Sequence, residues 1–414
     1  MNYKNKKIAI VGHGLEGQDA ERFLKSKGAD VTILDQKDNP NYLKHLNKYE
    51  IIVRSPGVYP FKKELIDAMK KGIRITTPTH IFFDEFKGKI IGVTGTKGKG
   101  TTSTLIYELL KSAKFDVYLA GNIGKPMLEL LPLLTSKSYV VLEMSSFQLI
   151  DLPVSPDIAV ILNITTDHMD WHRNQEEYVE AKKNIVKFQK VSDWAVINKD
   201  YKTPKSFSKL TKANVIFFSK KTLESDYKKG LMLRGEHNLE NIAAAISVAK
   251  ILNIKKDLII KTIRNFKGLE HRLEFVREIN GIKFYNDSFA TGPQPTIAAI
   301  NSFTEPETLI LGGSDKGLDY WELCEKINSH KNIKGIVVIG ETRLAIINNL
   351  MMMKSKIKII NLIKSDMVKV VETAYVITQP GGVVILSPAS ASFDMFQNYK
   401  DRGNQFKEAV NSLV

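Results

Sequence analysis

Cysteine is almost absent from this chain. Among its 414 residues only Cys324 is present, which excludes a disulfide framework and a cysteine-based metal site. Long apolar runs are missing too: no stretch reaches the ~18–20 residues that a membrane span needs. The opening MNYKNKKIAIVGHG carries charge but neither a long apolar segment nor a small-residue cleavage site, so no signal peptide is expected. There is no dense basic stripe interleaved with aromatics. The 60 Lys and Arg against 45 Asp and Glu, a net charge of +15, are scattered, which speaks against nucleic acid and for anionic small substrates. Low-complexity tracts and short-period repeats are also lacking. These absences lead to the expectation of a cytoplasmic protein in a reducing compartment, without membrane insertion.

What is present is a globular composition. Apolar residues make up 43% of the chain, enough for real cores. Short β-rich runs, glycine turns and helical segments alternate. Strands are expected at Ile8–Val11, Val31–Leu34 and Ile51–Val53, then at Lys89–Thr94, Tyr139–Leu142 and Ile158–Leu162. A third series runs from Gly281–Tyr285 through Thr308–Leu311, Ile336–Ile339 and Ile357–Ile360 to Val383–Leu386. His237–Leu252 has the apolar spacing of a helix. This order predicts an α/β protein of three domains: a Rossmann-like domain over 1–87, a central P-loop ATPase-type domain with a parallel sheet over 88–269, and a Rossmann-like domain over 270–414.

Two glycine loops carry the chemistry. Gly12-His-Gly14-Leu-Glu-Gly17 matches G-x-G-x-x-G between a strand and a helix, and Asp35 ends the next strand where a dinucleotide site keeps its ribose carboxylate. The motif fits an NAD-dependent oxidoreductase, another nucleotide, or merely a tight turn. The second loop, Thr94-Gly95-Thr96-Lys97-Gly98-Lys99-Gly100-Thr101-Thr102, resembles a P-loop. Its backbone N–H groups and the following helix N-terminus can cradle phosphates. Lys99 would meet the β- and γ-phosphates, and a hydroxyl, Thr101, would hold Mg²⁺. The usual hydroxyl position directly after the lysine is Gly100, so that role is displaced by one residue. A kinase or a simple ATPase also fits this loop. Glu143, at the end of a strand, is a candidate Mg²⁺ ligand. His168, among Asn163, Asp167, Asp170 and His172, would hold a second Mg²⁺ or orient phosphate; the spacing is no recognised zinc pattern.

The segments GTKGKGTT, EMSSFQL, ILNITTDHMDWH, EEYVEAKKNI, HNLENIAAA, LEHRLEFV, YNDS and LSPASASFDMFQNYKDRGNQF follow one another along almost the whole chain. In this order they resemble the Mur ligases, and the last is similar to the glutamate-adding branch. The resemblance implies an ATP-dependent amide-bond ligase, acting as a monomer on UDP-N-acetylmuramoyl-L-alanine and glutamate. It implies that Lys99 contacts ATP, that Glu143 and His168 hold magnesium, and that Lys182 is carbamylated by CO₂ and serves the metal. It further implies that Asn238 and Asn241 lie near adenine, that Arg272 and Asp287 contact ATP, and that Asn122, Ser145 and His168 meet the muramoyl substrate. Lys316, Ser392 and Tyr399 would surround the incoming glutamate, and Leu15, Asp35, Ser55 and Gly57 the uridine diphosphate.

Each of these residues also has a plainer reading. Lys182 beside Lys183 fits a surface helix. Arg272 fits a salt bridge to Glu274, Asp287 a helix cap, and Lys316 a solvated loop. Three positions depart from the family pattern: Phe289 stands where lysine is usual, Gly292 where asparagine is usual, and Glu16 where small hydroxyl residues are common beside a diphosphate. The Glu16 carboxylate is expected to point away. The Phe289 loop keeps an L-glutamate-specific ligase open as an alternative to a D-glutamate one.

Overall fold

The computed structural model describes residues 2–363 and 365–413. They form three sheets, each built from apolar runs that end in glycine or polar turns. In the first, β1 (Lys7–Val11), β2 (Asp30–Leu34), β3 (Ile51–Arg54) and β4 (Arg74–Thr76) lie parallel in the order β2-β1-β3-β4. The second contains β5 (Lys89–Thr94), β6 (Val117–Gly121), β7 (Tyr139–Glu143), β8 (Ile158–Ile161), β9 (Trp194–Asn198) and β10 (Asn214–Phe218), all parallel, in the order β10-β9-β8-β5-β7-β6. Its central strands β5, β7 and β8 are buried nearly end to end, as expected when helices cover both faces of a parallel sheet.

The third sheet contains β11 (Glu274–Ile279), β12 (Ile282–Asn286), β13 (Glu307–Gly312), β14 (Ile333–Ile339), β15 (Lys358–Asn361) and β16 (Val383–Leu386), in the order β11-β12-β16-β13-β14-β15. β11 runs antiparallel to β12, and the remaining pairs are parallel. The α/β architecture and its sheets agree with the sequence-based expectation. The chain divides into two compact units, Met1–Lys228 with Leu239–Ile263, and Lys229–Asn238 with Arg264–Val414. The first unit holds the first two sheets and the second holds the third. Among the described residues, no helix is long and apolar enough to cross a membrane.

Within the first unit one apolar core runs from Ile10 and Val53 through Phe82 to Ile90 and Val140, joining the first two sheets. Arg54, at the end of β3, adds a polar clamp. Its side chain is fully buried, and it donates to both carboxylate oxygens of Asp151, at 2.9 and 2.6 Å. It also donates to the carbonyls of Ser55 and Val58, at 3.1 and 2.6 Å. Removing one member of a buried pair strands the other. Arg54→Ala is therefore expected to destabilise the first unit by about 3–5 kcal/mol, seen as a lower denaturation midpoint. A midpoint equal to that of the native chain would contradict the clamp.

Candidate active site

The first glycine loop opens onto a cavity of 1340 Å³ in the first unit. Leu15, Asp35, Ser55, Gly57, Asn122 and Ser145, all anticipated as substrate contacts, line it; His168 does not. The loop is tight: a Cβ on Gly17 would lie 2.3 Å from the Gly12 carbonyl oxygen. Ser55 Oγ donates to that oxygen at 2.5 Å. The Asp35 carboxylate accepts the backbone N–H of His13 at 2.6 Å and of Lys37 at 2.9 Å, bonds that hold its pKa below the usual range. The Gly57 carbonyl accepts Trp171 Nε1–H at 3.1 Å, and Trp171 stands with Tyr59 and Phe147 as an aromatic wall of the same cavity.

Glu16 also lines this cavity. Its Oε1 accepts Gln148 Nε2–H at 2.8 Å, while Oε2 is enclosed without a hydrogen-bond partner. Burial pushes its pKa up to about 7, against the smaller pull of the Gln148 bond and Arg54. Gln148 in turn accepts the backbone N–H of Ser145 at 2.8 Å and caps a short helix with it. Glu16 thus stands among the cavity-lining residues, with one carboxylate oxygen held by the segment that carries Ser145.

β5 leads into the second glycine loop, and the helix Lys99–Ser112 starts directly after it. Gly98 has φ +86°, and a Cβ there would lie 2.2 Å from Asn241 Oδ1. Only glycine suits that turn. Asn241 also accepts Thr102 Oγ1–H at 3.2 Å, so it braces the loop from below. Lys99 Nζ folds back to donate to the carbonyls of Gly95 and Thr96, at 3.1 and 3.0 Å. Lys97 pairs with Asp167 at 3.3 Å. Gly95, Thr96, Gly100 and Thr101 complete the cradle, with Thr101 buried in the first helical turn.

Lys182 is not a surface lysine. The helix Gln175–Lys187, capped by Asn174, buries Tyr178, Ala181, Lys182, Ile185 and Val186. That spacing is one face of a helix, and it carries Lys182 inward. Its Nζ donates to Gly95 O at 3.0 Å and Thr94 Oγ1 at 3.3 Å. Desolvation, then the nearby Lys99, push its pKa well below the usual lysine value; Asp167 and Glu143 oppose this weakly. Glu143, at the end of β7, accepts Asn122 Nδ2–H at 3.1 Å. Thus Asn122, from the cavity lining, bonds to the end of β7, the strand that pairs with β5 ahead of the phosphate loop. His168 has φ +55°, and its ring leans on Phe147 with centroids 4.8 Å apart. Among the described residues, no three His, Cys, Asp or Glu side chains converge as a ready-made metal cage. The anticipated set draws instead on a hydroxyl and a lysine.

In the second unit, Asp287 is buried and accepts Leu273 N–H at 3.2 Å and Ser387 Oγ–H at 2.7 Å. Burial raises its pKa to about 7. It does not cap the following helix, Pro293–Ile300, whose N-cap is Gly292. The Arg272 guanidinium lies 4.1 Å from the Phe289 ring centroid. Lys316 Nζ lies 5.6 Å from the ring of Phe393, next to buried Ser392. Asn238 Nδ2 donates to Arg234 O at 2.5 Å. Arg402 was not anticipated from sequence. It is fully buried, donating to Ser288 Oγ and O at 2.9 and 2.8 Å and to Ala391 O at 3.0 Å. It therefore fastens the Asp287 loop to the Ser392 loop, and the Ser288 hydroxyl donates to the Tyr399 carbonyl at 2.8 Å.

Comparison with known proteins gives a consistent result. Residues 93–234 match the Mur ligase middle domain and residues 271–390 the Mur ligase glutamate ligase domain. The chain is 38% identical to the UDP-N-acetylmuramoylalanine–D-glutamate ligase of Acetivibrio thermocellus, over 99% of this chain and 97% of that protein. It is 36% identical to the ligase of the same name from Clostridium botulinum, with the same coverage. Among solved structures, the MurF ligase of Thermotoga maritima in complex with ADP superposes with a TM-score of 0.60 at 21% identity, covering 99% of this chain and 96% of that one. MurC from the same organism gives 0.59 at 18% identity, covering 99% and 100%. These two show the shared fold.

The raised pKa of Glu16 carries a sign that can be tested. Its folded-state value of about 7 exceeds the reference 4.5, so ionising it costs more in the folded chain than in the unfolded one, and stability declines as pH rises through that window. Glu16→Gln removes the titration. Relative to the native chain, the variant should gain about 2 kcal/mol between pH ~4.5 and ~7 and stay level above, measured by chemical denaturation across that range. A pH-independent difference would refute the assignment.

Proposed function

The chain belongs to the Mur ligase family, and from that premise we propose that it joins D-glutamate to UDP-N-acetylmuramoyl-L-alanine in peptidoglycan precursor synthesis, using ATP and Mg²⁺. The observation that carries this reading is the Asn122–Glu143 bond. It ties the lining of the large cavity to the end of β7, beside the strand that leads into the second glycine loop, which supports neighbouring seats for a UDP-linked carboxylate and a γ-phosphate. A nicotinamide oxidoreductase would leave the second loop without a task. The protein works as a cytoplasmic monomer, with domains over 1–87, 88–269 and 270–414.

In the reaction, the alanyl carboxylate of the UDP substrate attacks the γ-phosphorus of ATP, forming an acyl phosphate and ADP. The glutamate amine then attacks the acyl carbon; the C–N bond forms, the C–O bond to phosphate breaks, and the amine loses a proton. Lys99 and Arg272 spread the negative charge of the transferring group. The loop 95–101 cradles the phosphates, Asn238 and Asn241 serve the adenine side, and Asp287 assists ATP. Leu15, Asp35, Ser55 and Gly57 hold the uridine diphosphate. Asn122 and Ser145 hold the muramoyl part, with His168 reaching the substrate side only through its contact with the cavity residue Phe147, and Lys316, Ser392 and Tyr399 hold the glutamate.

Two Mg²⁺ ions, held by Thr101, Glu143, His168 and Lys182, would supply positive charge to the phosphate oxygens. A cationic Lys182 would repel metal. Its burial and the adjacent Lys99 favour the neutral amine instead, and a neutral amine can add to CO₂, losing a proton to give a carbamate. That carbamate fits the metal role.

The test of the function is phosphate release from ATP with UDP-N-acetylmuramoyl-L-alanine and single amino acids. Release that requires both the UDP substrate and D-glutamate is expected. Dependence on L-glutamate instead would favour the altered-pocket alternative, and no release with any amino acid would overturn the ligase reading. Lys182→Ala should lose about 100-fold in activity, with partial recovery in added acetate or formate. Full activity of the alanine variant without additives would contradict the carbamate.

A further inference from the structure

Arg272 is presented by an unusual turn. The residues on both sides of it, His271 and Leu273, have φ of +63° and +44°, a conformation that costs L-residues roughly 1–3 kcal/mol each. Four backbone bonds pin the turn: His271 N–H to Glu274 Oε2 at 2.9 Å, Arg272 N–H to Leu269 O at 3.0 Å, Leu273 N–H to Asp287 Oδ1 at 3.2 Å, and Phe289 N–H to His271 O at 3.0 Å. Backbone strain held this firmly fixes where the Arg272 side chain starts. What fixes where it ends is the Phe289 ring, whose centroid lies 4.1 Å from the guanidinium carbon. The same ring stands perpendicular to Tyr399, at 90° with centroids 5.0 Å apart. Tyr399 opens the helix Tyr399–Ser412, capped by Asn398. One aromatic side chain therefore touches both Arg272 and Tyr399.

We propose that Phe289 is a positioning residue that couples the nucleotide and amino-acid sites of the second unit: its face carries the Arg272 guanidinium and its perpendicular contact sets Tyr399. This rests on the roles given above to Arg272 and Tyr399. The chemistry suits the task. An aromatic face attracts a guanidinium through its quadrupole, and an edge-on ring pair has a preferred geometry. The side chain at 289 has no charge of its own, so the positive charge above this loop is the arginine, held by the ring. Phe289 is 39% exposed, so its face is not simply core packing, and Arg272 is itself exposed, so a ligand phosphate can reach it.

The test compares Phe289→Leu, which keeps bulk but removes the π face, with Phe289→Tyr, which keeps it, in the full chain. Two readouts are taken: ATP affinity by calorimetry, and KM for ATP and for glutamate alongside kcat. Phe289→Leu should weaken ATP binding about fivefold and raise both KM values by a similar factor. Phe289→Tyr should stay within about twofold of the native chain. A purely structural role would lower kcat through loss of active protein and leave both KM values unmoved, which would overturn the proposal. Equal damage by leucine and tyrosine, or none by leucine, would overturn it too. A native chain that binds ATP without glutamate-dependent turnover would sink the ligase reading, and the calorimetric affinities of the two variants would still decide the role of Phe289.

Discussion

Two lysine amines meet on one carbonyl oxygen. Lys99 and Lys182 both donate to Gly95 O, at 3.1 and 3.0 Å, in a pocket where Lys182 is 1% exposed. Two full positive charges at that separation in a poorly solvated place repel strongly. Burial, then the charge of Lys99, pushes the Lys182 amine well below the usual lysine range. Thr96 and Tyr178 stand against that pair. Thr96 Oγ1 and Tyr178 OH are 3.0 Å apart, and the Tyr178 ring lies 4.6 Å from Lys182 Nζ. This is the arrangement on which the proposed roles of Lys99 toward phosphate and of Lys182 toward CO₂ rest.

The first sheet depends on the second in a similar way. Four short strands bury little surface by themselves. Arg54 on Asp151, Glu16 on Gln148, Trp171 on Gly57 and Tyr59 on Glu177 draw the first glycine loop against the segments that follow β7 and β8. The cavity is a product of these contacts. Its lining comes from both sheets, which is why the first glycine loop, proposed for the uridine diphosphate, and the residues proposed for the muramoyl group face one space.

Much of this was legible in the sequence. The central strands appear as continuous apolar runs, and both glycine loops stand at strand ends where their motifs place them. The strands that escaped notice were mostly the sheet edges β4, β6, β10 and β11, whose half-exposed residues break the apolar run. β9, with Trp194–Ile197, is a buried strand whose signal was plain and not anticipated. Lys182 read as a surface lysine on local grounds because its partner Lys183 is the outward one; the stripe Tyr178, Ala181, Ile185 betrays its face. Arg402, Gln148 and Arg54 could not be found this way. Each acts by long-range hydrogen bonds to residues about a hundred positions away, and no local pattern marks a buried charge whose partners are distant in sequence.

The account stands on one chemical claim, that the substrate carboxylate is activated by phosphorylation in this site. The most direct measurement is oxygen transfer. UDP-N-acetylmuramoyl-L-alanine labelled with ¹⁸O in its alanyl carboxylate is incubated with the chain, ATP, Mg²⁺ and glutamate, and the released phosphate is analysed by mass spectrometry. The account predicts that each phosphate carries one ¹⁸O from the carboxylate. Phosphate released without label would mean that water, not the carboxylate, attacks ATP here, and the acyl phosphate would have to be abandoned.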